Sequence, residues 1–334
     1  MKNPLLVFTD KGIYCPKADV YIDAWKPVER NIVSHGHADH SKWGHQHYLS
    51  HLNNVPIIKH RLGDISTQGV NWGDVTDING VKFSLHPAGH VVGSSQVKVE
   101  HKGEVWVFTG DYKREDDGIS TPFELVRCNT FITECTFGLP PFKWQPQKEV
   151  IKEINQFWEE CKKTNQTAVL FAYSLGKAQR LIYNLDQSIG TIYTHAAVEN
   201  MNEVIRGIKN LPKTVRITRD TKREELIGNL VIAPPSTHGS PWIRKMVPYV
   251  TATASGWMTF RGARRRRAVD RGFVLSDHVD FGDLMKTIRE TEAENIICTH
   301  GYKEIFSKYL SEIGYNAYVE NTPFEESDNL IEDE

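Results

Sequence analysis

The 334-residue chain is poor in cysteine, in long apolar runs and in net charge, and each shortage excludes something. Its five cysteines, Cys15, Cys128, Cys135, Cys161 and Cys298, are odd in number and widely spaced, with no CxxC pair. That excludes a disulfide scaffold and predicts reduced thiols. The segment MKNPLLVFTDKG has only a brief apolar stretch before Asp10, so neither a signal peptide nor a transmembrane span is expected and the default location is cytoplasmic. Forty Lys+Arg against 42 Asp+Glu leave a formal charge of -2. Affinity for a polyanion must therefore come from where charge is placed. What remains is 40% hydrophobic and 25% charged with 24 Gly and 15 Pro, the composition of a globular chain able to form two domains, or one with a large insertion.

From Leu5 to about Phe137, short apolar or alternating runs (LLVF, VYIDAW, NIVSH, VKFSLH, SQVKVE, EVWVF, TFITE) read as strands, with a hairpin closed at Lys102-Gly103. The period then changes. KEVIKEINQFWEECKK places Val150, Ile151, Ile154, Phe157, Trp158 and Cys161 at helical spacing. Strand and helix then alternate to about Val250, an α/β texture. After GFVLSDHVD come a helix near Asp283–Glu292, the strand NIICTH and a helix from about Lys303, ahead of an acidic tail without a periodic apolar face.

The densest chemistry is His35-Gly36-His37-Ala38-Asp39-His40, directly after the apolar NIVS. Four candidate ligands within six residues need a loop at a strand end, because alternate side chains of one strand point to opposite faces. Imidazole and carboxylate at this density suit divalent zinc or manganese. His45, His47 and His51 read as structural or surface residues. His90 in AGHVVGS, Asp111 in VFTGDYK and His300 in NIICTHGY each follow a strand-like run and lie beside glycine.

This series resembles the metallo-β-lactamase fold, an αββα sandwich with metals at one edge. Glu134-Cys135-Thr136-Phe137-Gly138 resembles motif A of the β-CASP nucleases (E-S-T-[YF]-G), Ser276-Asp277-His278 resembles motif B (S-A-H), and His300-Gly301 resembles motif C. Ser174-Leu175-Gly176-Lys177-Ala178-Gln179 resembles the G-[RK]-A-Q helix start of the inserted β-CASP α/β domain. In length and running text the chain is similar to the bacterial DNA-ligase-associated exonuclease group. The resemblance implies a metallo-β-lactamase domain in 1–141 and 271–324, an insertion in 142–270 and a tail in 325–334.

It also implies His35, His37 and His90 on one metal, Asp39, His40 and His300 on a second, and Asp111 between them. The implied chemistry is a two-metal phosphodiester hydrolysis by activated water, with Asp39 in the catalytic set, His278 as general acid and Glu134 orienting it. Cys135 stands where the family has Ser and is expected to be buried and unreactive. Asp277 stands where it has Ala and is expected either to shift the His278 pKa or to face solvent. Glu134 and His300 match the RNA-processing branch, so DNA follows from the overall likeness and RNA is the alternative. DNA repair beside an ATP-dependent ligase is the implied setting, with no membrane partner.

Arg261, Arg264, Arg265, Arg266, Arg267 and Arg271 form the one dense cationic run, with Trp257 and Phe260 next to it for stacking on bases. An insertion over the metal edge would put that run on a cleft wall. Ser174 and Lys177 are expected to meet phosphate at a helix start, and Thr237-His238-Gly239-Ser240-Pro241 is a further candidate for a phosphate-binding or end-sensing loop.

Overall fold

The alternation of VKFSLHP is visible in the computed structural model, which describes residues 4–320 and 322 apart from 261, 263, 264, 266 and 267: Val81, Phe83, Leu85 and Pro87 are buried while Lys82 is exposed. The strand Val81–Pro87 belongs to a seven-stranded sheet running Asn316–Val319, Asn295–Thr299, Thr130–Glu134, Glu104–Phe108, Ser95–His101, Val81–Pro87, Thr76–Ile78. The first four are mutually parallel and the rest antiparallel. The hairpin between Ser95–His101 and Glu104–Phe108 turns at Lys102 and Gly103, both at positive φ, the geometry of a two-residue primed turn. A six-stranded sheet, in chain order Val7–Phe8, Ile13–Cys15, Val20–Ile22, Arg30–Ile32, His47–His51, Thr67–Val70, faces it.

Between these sheets Ile13, Val20, Ile22 and Ile32 pack against Phe83, Val97, Trp106 and Phe108. On the outer face of the six-stranded sheet, Ile58 of the helix Val55–Leu62 clusters with Val33 and Tyr48. On the outer face of the other, Leu284 and Ile288 of the helix Phe281–Thr291 and Phe306 and Leu310 of the helix Lys303–Glu312 cover Phe131, Ile296 and Cys298. The layers are helix, sheet, sheet, helix, the αββα sandwich of the metallo-β-lactamase fold.

The backbone divides into two compact units, with 117–119 and 144–277 in the second. This unit is built on a wholly parallel sheet in the order Val215–Arg216, Ile192–Thr194, Leu230–Ala233, Thr167–Phe171, Tyr249–Ala254, Arg271–Phe273. Its first helix, Gln147–Lys163, buries Val150, Ile151, Ile154, Phe157, Trp158 and Cys161. This is the α/β insertion of the β-CASP class. Among the described residues no helix is long and apolar enough to cross a membrane.

Candidate metal centre

Five strands deliver the site. Arg30–Ile32, Val81–Pro87, Glu104–Phe108, Thr130–Glu134 and Asn295–Thr299 end just before His35–His40, His90, Asp111, Cys135 and His300 respectively. Glycine makes the approach feasible. Gly110 has φ +53, and a Cβ there would sit 2.8 Å from Ser34 Oγ; Gly301 has φ +63, and its Cβ would come within 2.4 Å of Thr136 Cα. A side chain at either position would force the ligand loops apart.

The inward atoms crowd together. His37 Nδ1 lies 3.1 Å from His35 Nε2 and 3.0 Å from His90 Nε2. Asp111 Oδ2 is 3.3 Å from His35 Nε2 and 3.6 Å from His90 Nε2, and its Oδ1 is 3.5 Å from His40 Nε2. Asp39 Oδ2 lies 3.4 Å from His40 Nε2, and the His40 and His300 rings stack at 5.2 Å. The donor atoms group as His35, His37, His90 and Asp111, as His40, Asp111 and His300, and as His35, Asp39 and His40, each within 4.8 Å. Asp111 is common to the first two groups.

The donors fit a divalent cation. Asp111 Oδ1 is buried and carries no hydrogen bond, although a carboxylate oxygen deprived of water needs a compensating charge. Burial, aided by the charge of His40, holds the His35 imidazole well below its ordinary range, and burial lowers His300 to about 4. Both rings are thus neutral at pH 7 with a lone pair to give. Burial opposes charge on His40, yet Asp39, Asp111 and Asp23 outweigh it and raise that ring well above its usual value. A cation competes with that proton.

Asp23, which is absent from the sequence-derived candidates, holds the cluster from outside. Fully buried, it accepts from Ser34 N at 2.8 Å and Ser34 Oγ at 2.5 Å, and its Oδ2 is 2.7 Å from His40 Nδ1. Ser34 Oγ is 3.0 Å from His35 Nδ1. Both imidazoles therefore have their outer nitrogens engaged and their Nε2 atoms turned inward, the outer support that metal-binding histidines use. Arg61 was also missed. Its Nη1 donates to Gly36 O at 2.7 Å and Ser41 Oγ at 2.5 Å, tying the histidine loop to the helix Val55–Leu62.

At the edge of the cluster, His278 Nδ1 lies 2.9 Å from Glu134 Oε2, and Glu134 Oε1 accepts from Tyr112 N at 2.8 Å. Burial raises the Glu134 pKa against the pull of His278. Its ring 4.7 Å from that of His90, His278 keeps 25% of its side-chain surface exposed while Glu134 keeps none. Cys135 is buried, its thiol pushed well up by that burial, and it donates to His300 O at 2.9 Å. It is a clamp on the strand end that holds His300 at φ +59.

In the second unit, Asp277 is buried, accepting from Arg180 Nη1 at 2.9 Å with Lys177 Nζ at 3.8 Å, so it does not face solvent. The Lys177 ammonium lies 5.1 Å from the centre of the Tyr173 ring. Gln179 explains its own motif: it accepts from Gly176 N at 2.7 Å and donates to Ser174 O and Asn202 Oδ1, each at 2.8 Å, closing the start of the helix Lys177–Asn184. Ser174 and Trp257 are half-buried and Phe260 is exposed. Thr237 and Ser240 turn their hydroxyls onto carbonyls of their own loop, Pro234 O and Thr237 O, at 2.7 Å each. Arg265 is exposed, and Arg271 pairs with Glu160. Arg261, Arg264, Arg266 and Arg267, like the tail 325–334, lie outside the described residues. Of the remaining histidines, His45 and His51 are buried, the latter stacked at 3.5 Å on Trp72, and His47 is exposed.

A helix–sheet–sheet–helix sandwich with histidine and aspartate donors converging at its strand ends defines a metallo-β-lactamase-type metal protein. No family model matches the chain. It is 31% identical, over 92% of its length, to a protein of Opitutus terrae named "Probable DNA ligase", of which it spans 30%. It is 31% identical over 35% of its length to the endoribonuclease YSH1 of Saccharomyces cerevisiae, spanning 15% of that protein. Against the transcription termination factor FttA of a Lokiarchaeum the figures are 29%, 38% and 21%. The chain thus spans less than a third of these relatives. A crystal structure of an Enterococcus faecalis V583 protein superposes with TM-score 0.63 at 13% identity over 87% of this chain and 79% of that one, a likeness of fold. In its fold and in these matches the chain is similar to the β-CASP metallo-β-lactamase proteins.

Proposed function

We propose that the chain is a divalent-metal phosphodiesterase acting on DNA, an exonuclease that trims strand ends in cytoplasmic DNA repair beside an ATP-dependent ligase. The observation that carries this reading is the convergence of His35, His37, Asp39, His40, His90, Asp111 and His300 with the Glu134–His278 pair at their rim. The seven side chains would hold two ions, zinc or manganese, with Asp111 shared. Such a pair, when bound, supplies Lewis-acid charge for the phosphoryl oxygens and a water nucleophilic near neutral pH.

The remaining work falls to the chain's own groups. Asp23 and Ser34 keep the His40 and His35 rings turned inward. Tyr112 N fixes Glu134, which holds and orients the His278 ring through Nδ1. His278 Nε2 then donates a proton to the leaving oxygen. In this reading 1–141 and 271–324 carry the metal centre. The insertion 142–270 supplies phosphate and base contacts through Arg261, Arg264, Arg265, Arg266, Arg267, Ser174, Lys177 and Trp257.

Support for DNA comes from the ligase-named relative, matched along almost the whole chain. RNA is the second reading, favoured by the name of the endoribonuclease relatives, which match over a shorter segment. Matched DNA and RNA strands, labelled at either end and incubated with the metal-loaded protein, separate the two. Progressive shortening of DNA is expected; selective cleavage of RNA would overturn the first choice.

A further inference from the structure

Trp43 stands three residues after His40 and is 72% exposed, more than any other large hydrophobic side chain among the described residues. An isolated exposed apolar residue is ordinary on a protein surface. The loop that carries this one is not. Ser41 N and Oγ both bond His37 O at 2.9 Å, and Arg61 Nη1 grips Ser41 Oγ. On the other side, the buried Tyr48 hydroxyl donates to Lys42 O at 3.0 Å and accepts from His45 N at 3.1 Å, while His45 Nδ1 accepts from Val28 N at 3.2 Å. Gly44 turns the chain at φ +105, where a Cβ would stand 3.1 Å from Pro27 Cγ.

The backbone on both sides of Trp43 is therefore tied down while its indole projects into solvent. Three residues of chain separate it from His40 by at most about 11 Å, within reach of a nucleotide flanking a phosphodiester held at the ligands. Lys42, its neighbour in sequence, is half-buried and carries a cation.

We propose that Trp43 is a base-stacking residue of the substrate site, receiving an unpaired nucleobase next to the scissile phosphate. This rests on the nucleic-acid reading above and narrows it to strands with unstacked bases at the site. An aromatic platform beside a cation is the sequence-tolerant way to hold a single strand, and a backbone already held before binding leaves only the side-chain torsions of Trp43 to be ordered on engagement.

The test measures binding of a labelled single strand in a metal-loaded His278→Ala background, where cleavage is suppressed. Adding Trp43→Ala is expected to weaken binding about 10-fold or more, and Trp43→Phe to restore most of it. A strand carrying abasic sites should bind both Trp43 forms alike. Unchanged thermal unfolding shows that the variants fold. If Trp43→Ala binds the base-bearing strand as tightly as its parent, the inference is wrong while the nuclease reading stands. If the parent protein retains neither DNA nor RNA, both readings fail together.

Discussion

Around Asp111 the first unit buries imidazoles and carboxylates whose inward atoms meet one another at 3.3–3.6 Å, whereas in the second unit two buried carboxylates, Asp277 and Glu199, meet cations. Asp277 has Arg180 at 2.9 Å and Lys177 at 3.8 Å, and Glu199 has Arg206 Nη1 at 2.7 Å together with Thr194 Oγ1 at 2.7 Å and Asn202 Nδ2 at 3.1 Å. The second arrangement is complete within the protein. The first is a set of lone pairs aimed at a common centre, and the difference separates a ligand site from a structural network better than residue type does.

Asp111→Asn should break the first cluster most severely. A loss of strand cleavage of about a thousandfold or more is expected, together with reduced metal content measured by elemental analysis. Chelation should reproduce the loss and metal should reverse it. Cleavage that survives in metal-free protein would end the proposed function.

Asp277→Ala, by contrast, should act on stability. It removes the carboxylate facing the buried Arg180 guanidinium and leaves that charge only neutral acceptors such as Ser276 O, at about 3 kcal/mol in denaturant unfolding, with metal content unaltered. Equal loss of metal and stability would show that Asp277 serves the metal site as well as the second unit.

His45 is a buried imidazole belonging to neither cluster, and burial lowers it from 6.5 to about 4. Between those values the unfolded ring binds a proton that the folded ring rejects. Its contribution is therefore complete above pH 6.5 and is lost on the way down to pH 4, by up to about 3 kcal/mol. His45→Gln should flatten that part of the stability–pH curve; an unaltered slope would show that other groups set it.

The smallest effect is expected at the outer support. Asp23→Asn should weaken metal affinity about 10- to 100-fold in a chelator competition while leaving the fold intact. Unchanged affinity would reduce Asp23 to a local fastener of Ser34.

Legibility followed sequence distance. The histidine loop could be read directly because four of its donors occupy six consecutive positions, and the helix Gln147–Lys163 because its apolar spacing has one period. Asp23 could not, since an aspartate in VYIDAW reads as a polar strand residue until the fold brings His40, 17 positions on, to its side chain. Asp277 was equally opaque. Its partner Arg180 is 97 residues away, and one sequence contains nothing that pairs them. The short strands Thr67–Val70 and Thr76–Ile78 carry no apolar run and exist only as additions to neighbouring sheet edges.

Residue chemistry and local periodicity were thus determined by the order of amino acids alone: which side chains could ligate, where strands end, where one helix turns its apolar face. Tertiary structure decided which of those groups meet, which carboxylates are already matched by a cation and which are left facing imidazoles, and that an indole beside the ligand loop stays in solvent. The physical reason is that donor capacity belongs to a residue, whereas burial and opposing charge arise only when distant segments pack together.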